Sequence, residues 1–179
     1  DKSEAQLFKV SENNIKRSVE GIGDLISQAK VILKEKEDSK GPSGVPSGFT
    51  DLDRITGGWQ KSDLIILAAR PGMGKTAFVV STMRNAAVDA GKAVAIFSLE
   101  MPSIQLANRL ISAEAEIDST KMRHGNLAPH EWEQLNSKVD KLSKSKIFID
   151  DTPALSIREF RTKCRRLKHS QGIDMVIID

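Results

Sequence analysis

Tyrosine is absent from this 179-residue chain and cysteine occurs once. The lone Cys164 excludes an intramolecular disulfide framework and any cysteine-rich metal site; it falls among helical core positions and is expected to act as a small apolar residue. With six Phe, two Trp and no Tyr, no base-stacking platform is evident. His124, His130 and His169 are scattered without metal-ligand spacing. No apolar run approaches membrane-spanning length and no signal-peptide core opens the chain, so no membrane partner is expected and a reducing cytoplasm is the simplest location. Neither sign of charge dominates: the net charge of +3 suits a polyanion without requiring one.

What is present concentrates between residues 64 and 76, Leu-Ile-Ile-Leu-Ala-Ala-Arg-Pro-Gly-Met-Gly-Lys-Thr. An apolar β-type run enters a Gly/Pro turn that delivers Gly-Lys-Thr to a helix start. This is the layout of a phosphate-binding loop, and it points to a nucleoside triphosphate with Mg²⁺. A triphosphate needs converging donors. A glycine-rich turn leaves backbone N–H groups uncovered, and the helix adds its unpaired first-turn N–H groups and positive dipole end. Arg70, Pro71, Gly72, Met73, Gly74, Lys75, Thr76 and Ala77 form the candidate cradle. Lys75 would reach the β- and γ-phosphates and the Thr76 hydroxyl would ligate Mg²⁺. The usual pattern opens with glycine where this chain has Ala69. The bland alternative is an ordinary β-α turn.

The first forty residues differ from the rest. Ile15, Val19, Ile22, Ile26, Ala29 and Leu33 form an amphipathic helical stripe near heptad spacing, ended by Lys34-Glu35-Lys36-Glu37-Asp38. Such a helix needs a surface to cover. It either folds back on its own domain or is lent to a neighbouring subunit. Residues 38–48 are a Gly/Pro/Ser joint. The domain division is therefore 1–40, a linker region, and 41–179, a globular part. The chain opens at Asp1 and closes at Asp179 directly after an apolar strand, so both ends are expected to be cuts in a longer parent.

In the globular part strands are expected at Leu64–Ala69, Ala93–Ser98, Ile147–Asp150 and Met175–Ile178, with helices at about 75–90, 102–114, 129–143 and 156–170. The alternation predicts an α/β fold with a doubly wound, mostly parallel sheet, whose ligands bind at the carboxyl ends of the strands. Asp179 ends one apolar strand, where an acid can hold Mg²⁺ through its water shell; the alternative is an Asp that starts a turn. Glu100 follows another strand and could orient and deprotonate a water attacking the γ-phosphate, or serve as a first-turn acid beside Met101-Pro102-Ser103. At Asp150-Asp151 the favoured reading is one turn-capping and one solvated acid. Arg158, Arg161, Lys163, Arg165, Arg166 and Lys168 crowd one helix whose buried stripe is Ile157, Phe160, Cys164 and Leu167. A solvated basic face is the commoner outcome there, polyanion contact the sharper one. Trp132 is expected to pack at a helix start, and Trp59 to cover the entry of the Leu64–Ala69 strand.

These residues carry a family resemblance. Gly48-Phe49-Thr50-Asp51-Leu52-Asp53…Thr56-Gly57-Gly58 resembles the lead-in of RecA-like ATPases. With Ser62 to Thr76, Phe97-Ser98-Leu99-Glu100-Met101-Pro102, Ile149-Asp150-Asp151 and Ile177-Ile178-Asp179, the chain from about residue 13 onward is similar to the DnaB-type bacterial replicative DNA helicases. The resemblance implies a RecA-like phosphate-loop fold whose sheet is incomplete here, preceded by a linker helix near residues 13–37 that docks on the adjacent subunit. It implies a homohexamer with ATP sites between subunits, translocating 5′ to 3′ on single-stranded DNA, with primase and a helicase loader as partners. By motif position Lys75 and Thr76 bind phosphate and Mg²⁺, Glu100 is the catalytic base and Asp179 the Mg²⁺-linked acid. The implied amino-terminal scaffold domain, DNA-contacting loops and arginine finger lie outside this sequence, so weak or no turnover is expected of this stretch alone. Two alternatives stay open: another RecA-like ATPase, of recombination or timekeeping type, and a nucleotide-binding assembly module without turnover. A kinase lacks any suggestion of an acceptor pocket.

Overall fold

The computed structural model describes residues 21–38 and 42–179. The chain divides into two compact units between Gly41 and Pro42. In the first, helix α1 spans Ile22–Asp38, and its apolar residues Ile22, Leu25, Ile26, Val31 and Leu33 are exposed. The expected stripe residues Ile15 and Val19 lie outside the described residues, as do positions 39–41 of the joint.

The second unit holds α2 (Thr50–Thr56), α3 (Lys75–Arg84), β1 (Val94–Phe97), α4 (Ser103–Ala115), α5 (Ser119–His124), α6 (Pro129–Ser143), β2 (Ile147–Asp150), α7 (Ile157–Gln171) and β3 (Met175–Ile178). The strands form a parallel three-stranded sheet in the order β2-β1-β3. β1 is apolar throughout and buried on both faces, as the central strand of a parallel sheet must be. On one face Val94 and Ile96 pack with Val80, Met83, Ala86 and Ala87 of the α3 segment and Leu106 and Leu110 of α4. On the other, Ala95 and Phe97 meet Phe160, Cys164 and Leu167 of α7. Phe97 and Phe160 make an edge-to-face pair at 4.9 Å. Cys164 thus occupies the apolar position expected of it, and burial pushes its thiol pKa up.

Register sets the site. Phe97 pairs with Asp150 of β2 and Ile178 of β3, so the carboxyl ends of all three strands lie level. The ladder runs one residue further: Leu99 donates its N–H to the Asp179 carbonyl at 2.7 Å, and Asp179 donates its own to the Phe97 carbonyl at 3.0 Å.

Four expectations are corrected. Leu64–Ala69 is not a strand of the sheet; it is exposed, with Leu64 87% and Ile66 82% accessible. Composition gives the run β-propensity, but a strand exists only where a segment pairs with another, and among the described residues β1 to β3 pair with one another and not with this run. With no strand there to cover, Trp59 instead forms a lone antiparallel bridge with Val45. Trp132 does not pack fully and is 51% exposed. Ile157, expected on the buried stripe of α7, is 79% exposed, because it opens the helix and only Phe160, Cys164 and Leu167 of that stripe reach the sheet. Two short helices, α2 and α5, went unpredicted because neither is long enough to show a periodic stripe. The helix expected at about 75–90 runs as α to Arg84 and closes with a π-helical turn at Asn85–Asp89.

Candidate phosphate-loop site

The loop is supported by residues 44–60. Asp53 accepts the Ser47 N–H at 2.8 Å and the Gly48 N–H at 3.0 Å, and Asn85 donates its amide to the Ser47 carbonyl at 3.1 Å. Gly48 sits at φ +81, and a Cβ there would collide with the Asn85 side chain, so only glycine fits. Phe49 stacks on Phe78 of α3 at 5.1 Å and 10°. The lead-in therefore fixes the α3 segment from outside the sheet.

Residues 70–74 form the turn, with the Met73 N–H donating to the Arg70 carbonyl at 3.2 Å. Gly72 and Gly74 have φ +78 and +86, and a Cβ on either would meet nothing within 4 Å. Their requirement is thus the backbone angle, and the space above the loop is open. Gly74 caps α3, placing Lys75, Thr76 and Ala77 in its first turn, where backbone N–H groups have no intrahelical acceptor. Arg70, Pro71 and Met73 line the exposed rim.

Lys75 Nζ lies 2.9 Å from Asp179 Oδ1 and 3.6 Å from Glu100 Oε1. Thr76 Oγ1 donates to Asp179 Oδ2 at 3.2 Å. The Asp179 side chain is 2% exposed and that of Glu100 65%. Hydrogen bonding to Asp179, more than the Glu100 charge, raises the Lys75 pKa above its ordinary value. Residues from three separate stretches of sequence thus converge on one point. The oxygen donors Thr76 and Asp179 suit a hard cation, and the open left-handed glycines suit a phosphate chain. Among the described residues no group of three or more His, Cys, Asp or Glu is placed to hold a metal. A Mg²⁺ held by one or two protein oxygens plus substrate phosphates needs no such group.

The neighbouring acids are spoken for. Asp150 accepts from Lys163 Nζ at 2.6 Å and from the Thr152 N–H at 3.0 Å. Burial pushes its pKa up, but these bonds outweigh it and hold the carboxyl below its ordinary value. Asp151 caps α4 by accepting the Ser103 N–H at 2.8 Å.

Sequence reasoning missed one element of the site's support. Glu114 lies on the buried stripe Leu106, Leu110, Glu114, with its side chain 6% exposed. It accepts from Arg84 Nε at 2.6 Å, and Arg84 also pairs with Asp89. The Arg84 bond holds the Glu114 pKa below its ordinary value. The pair ties the end of the phosphate-loop helix to α4. A carboxylate placed on an otherwise apolar helical stripe was the available signal. A cleft of about 790 Å³ runs along α3, lined by Val80, Met101, Gln105, Arg109 and Met122 among others; it flanks the helix rather than covering the loop.

A parallel sheet with a glycine loop, a Lys-Thr helix start and acids at the carboxyl strand ends defines an α/β phosphate-loop domain of RecA-like fold. Residues 44–179 match the model of the DnaB-like helicase C-terminal domain, and the chain belongs to that family. It is 42% identical over 178 residues to the replicative DNA helicase DnaC of Bacillus subtilis, covering 99% of this chain and 39% of the relative. It is 41% identical over 180 residues to DnaB of Geobacillus stearothermophilus, covering 100% of this chain and 40% of the relative. The chain therefore spans about two-fifths of the length of these relatives. Among solved structures, an ATPase domain superposes with a TM-score of 0.80 at 31% identity, over 90% of this chain and 57% of that one. A DnaB-like replicative helicase studied with primase superposes at 0.77 and 29% identity, over 100% of this chain and 42% of that one.

Proposed function

We propose that this chain is the nucleotide-binding portion of an ATP-driven replicative DNA helicase acting in the cytoplasm. The observation that carries the reading is the convergence of Lys75, Thr76, Glu100 and Asp179 at the mouth of α3. The Lys75 ammonium neutralises Asp179. On binding ATP, Lys75 turns to the β- and γ-phosphates, while the loop N–H groups from Gly72 to Ala77 surround the anionic tail. Thr76 and Asp179 would hold Mg²⁺, which would neutralise charge on the terminal phosphates. Glu100, exposed and beyond the end of β1, orients water and accepts its proton.

In the parent protein the work is 5′ to 3′ translocation on single-stranded DNA by a ring of six copies, with primase and a loader as partners. Support comes from family membership and from the relative studied with primase. The exposed apolar residues of α1 are those an adjacent subunit would cover. A second reading, a nucleotide-binding assembly module without turnover, draws support from the unpaired 64–69 segment, which leaves the loop anchored on its helix side alone. ATP hydrolysis measured with and without single-stranded DNA, on this chain and on the longer parent, separates them. DNA-stimulated turnover in the parent is expected. Nucleotide binding without turnover in both would leave the assembly module standing.

A further inference from the structure

α7 contributes one face to the sheet and turns the opposite face to water. On that outer face stand Arg158, Arg161 and Arg165, all exposed. At 3.6 residues per turn they fall within about 60° of arc and rise along about 10 Å of helix. Lys168 continues the row, its ammonium bonded to the Ile173 carbonyl at 2.6 Å. None of the three guanidiniums has an ion-pair partner among the described residues. Lys163 of the same helix is by contrast paired with Asp150, and the acid Glu159 is turned back into the N-terminal capping box with Ser156. The row is therefore left positive.

We infer that this arginine row is a contact surface for the phosphodiester backbone of a nucleic-acid strand, and it rests on the motor reading only in taking that strand to be single-stranded DNA. Two features favour a phosphate backbone over an acidic protein. Protein interfaces are anchored by clusters of aromatic and apolar side chains, whereas beside the row a single apolar residue, Ile157 at the helix's first position, is exposed. Phosphate contact needs only repeated cations, and arginine's planar fork matches phosphate oxygens in a way an ammonium does not. Because α7 runs antiparallel to the strands it covers, its amino-terminal end, with Arg158 and Arg161, lies at the same end of the sheet as Lys75 and Asp179. A strand on this row would run toward the nucleotide site.

The test is fluorescence anisotropy of a labelled oligo-dT with the 179-residue chain across a salt series. Each phosphate contact on a single strand contributes about 0.7 to the slope of log K against log salt. The R158Q/R161Q/R165Q variant should lose about 2 from that slope and at least about tenfold in affinity at low salt. A control removing equal charge elsewhere, K61Q/K141Q/K144Q, should bind nearly as the parent does. Calorimetric ATP binding should be the same in all three, so failure of the nucleotide site would be seen separately. An unchanged slope in the arginine variant, an equal loss in the control, or displacement of oligo-dT by polyglutamate of matched charge would each overturn the inference. Should the triple variant misfold by circular dichroism, arginine-selective modification of the unsubstituted chain decides. Oligo-dT should protect Arg158, Arg161 and Arg165 but not Arg54, and equal reactivity with and without DNA refutes the surface.

Discussion

Lys75 meets two carboxylates and a helix mouth, and its consequences are local. Lys75→Ala removes a charge-assisted contact to the terminal phosphates, and ATP affinity is expected to fall about tenfold to a hundredfold in calorimetry. Glu100→Gln should instead keep nucleotide affinity and, in the longer parent, lower the hydrolysis rate by about 10²–10⁴. Glu114 offers a stability test of a different kind. Its carboxyl pKa is held below the unfolded value by Arg84, so its contribution is present above the ordinary carboxylate pKa and is lost as pH falls through the folded one. Glu114→Gln leaves Arg84 half-matched and should cost about 3 kcal/mol at neutral pH, near the low end for breaking a buried pair. The acid-side loss of stability should be shallower in that variant, as thermal melts between about pH 7 and pH 3 would show. Lys75 and Thr76 stood out in the sequence as candidates because phosphate chemistry would call for these residue types at this spacing. The Arg84–Glu114 tie was not, because it joins residues thirty positions apart through a helix packing that no local pattern encodes.

At the scale of elements, the long helices formed where their apolar periods placed them, although Ile157 of the α7 stripe and the described residues of the α1 stripe are exposed. α6 and β2 occupy their expected spans, since caps, Pro starts and apolar periods are local signals. The failure at Leu64–Ala69 is instructive. Its composition is that of a buried parallel strand, yet a strand is a pairing rather than a property of one segment. Two outcomes are expected. Amide exchange at residues 64–69 should be fast while residues 94–97 are protected. Substitutions such as Leu64→Ser and Ile66→Thr should shift stability by less than about 0.5 kcal/mol each, as at other exposed positions; a loss of several kcal/mol would place the segment in a sheet.

For the whole molecule, one apolar edge stands out. β3 ends the sheet with Val176 and Ile178 exposed, and elsewhere in the sequence Leu64 and Ile66 are also exposed. An open strand edge with apolar neighbours favours pairing between chains. Light scattering should show association that grows with concentration, and V176K/I178K should reduce it. A strictly monomeric unsubstituted chain at high concentration would contradict this.

The order of the amino acids by itself pointed to a ligand class and to the loop that would hold it, because a triphosphate tolerates few arrangements of glycine, lysine and hydroxyl at a helix start. It likewise determined which stretches coil, since caps and apolar periods act over a few residues. Only the folded chain decided that Asp179 reaches Lys75 and Thr76 across a hundred residues, that Asp150 is taken by Lys163, and that the apolar run before the loop stands unpaired. Those outcomes depend on which strand edges meet, and edges meet through long-range packing that competes for partners.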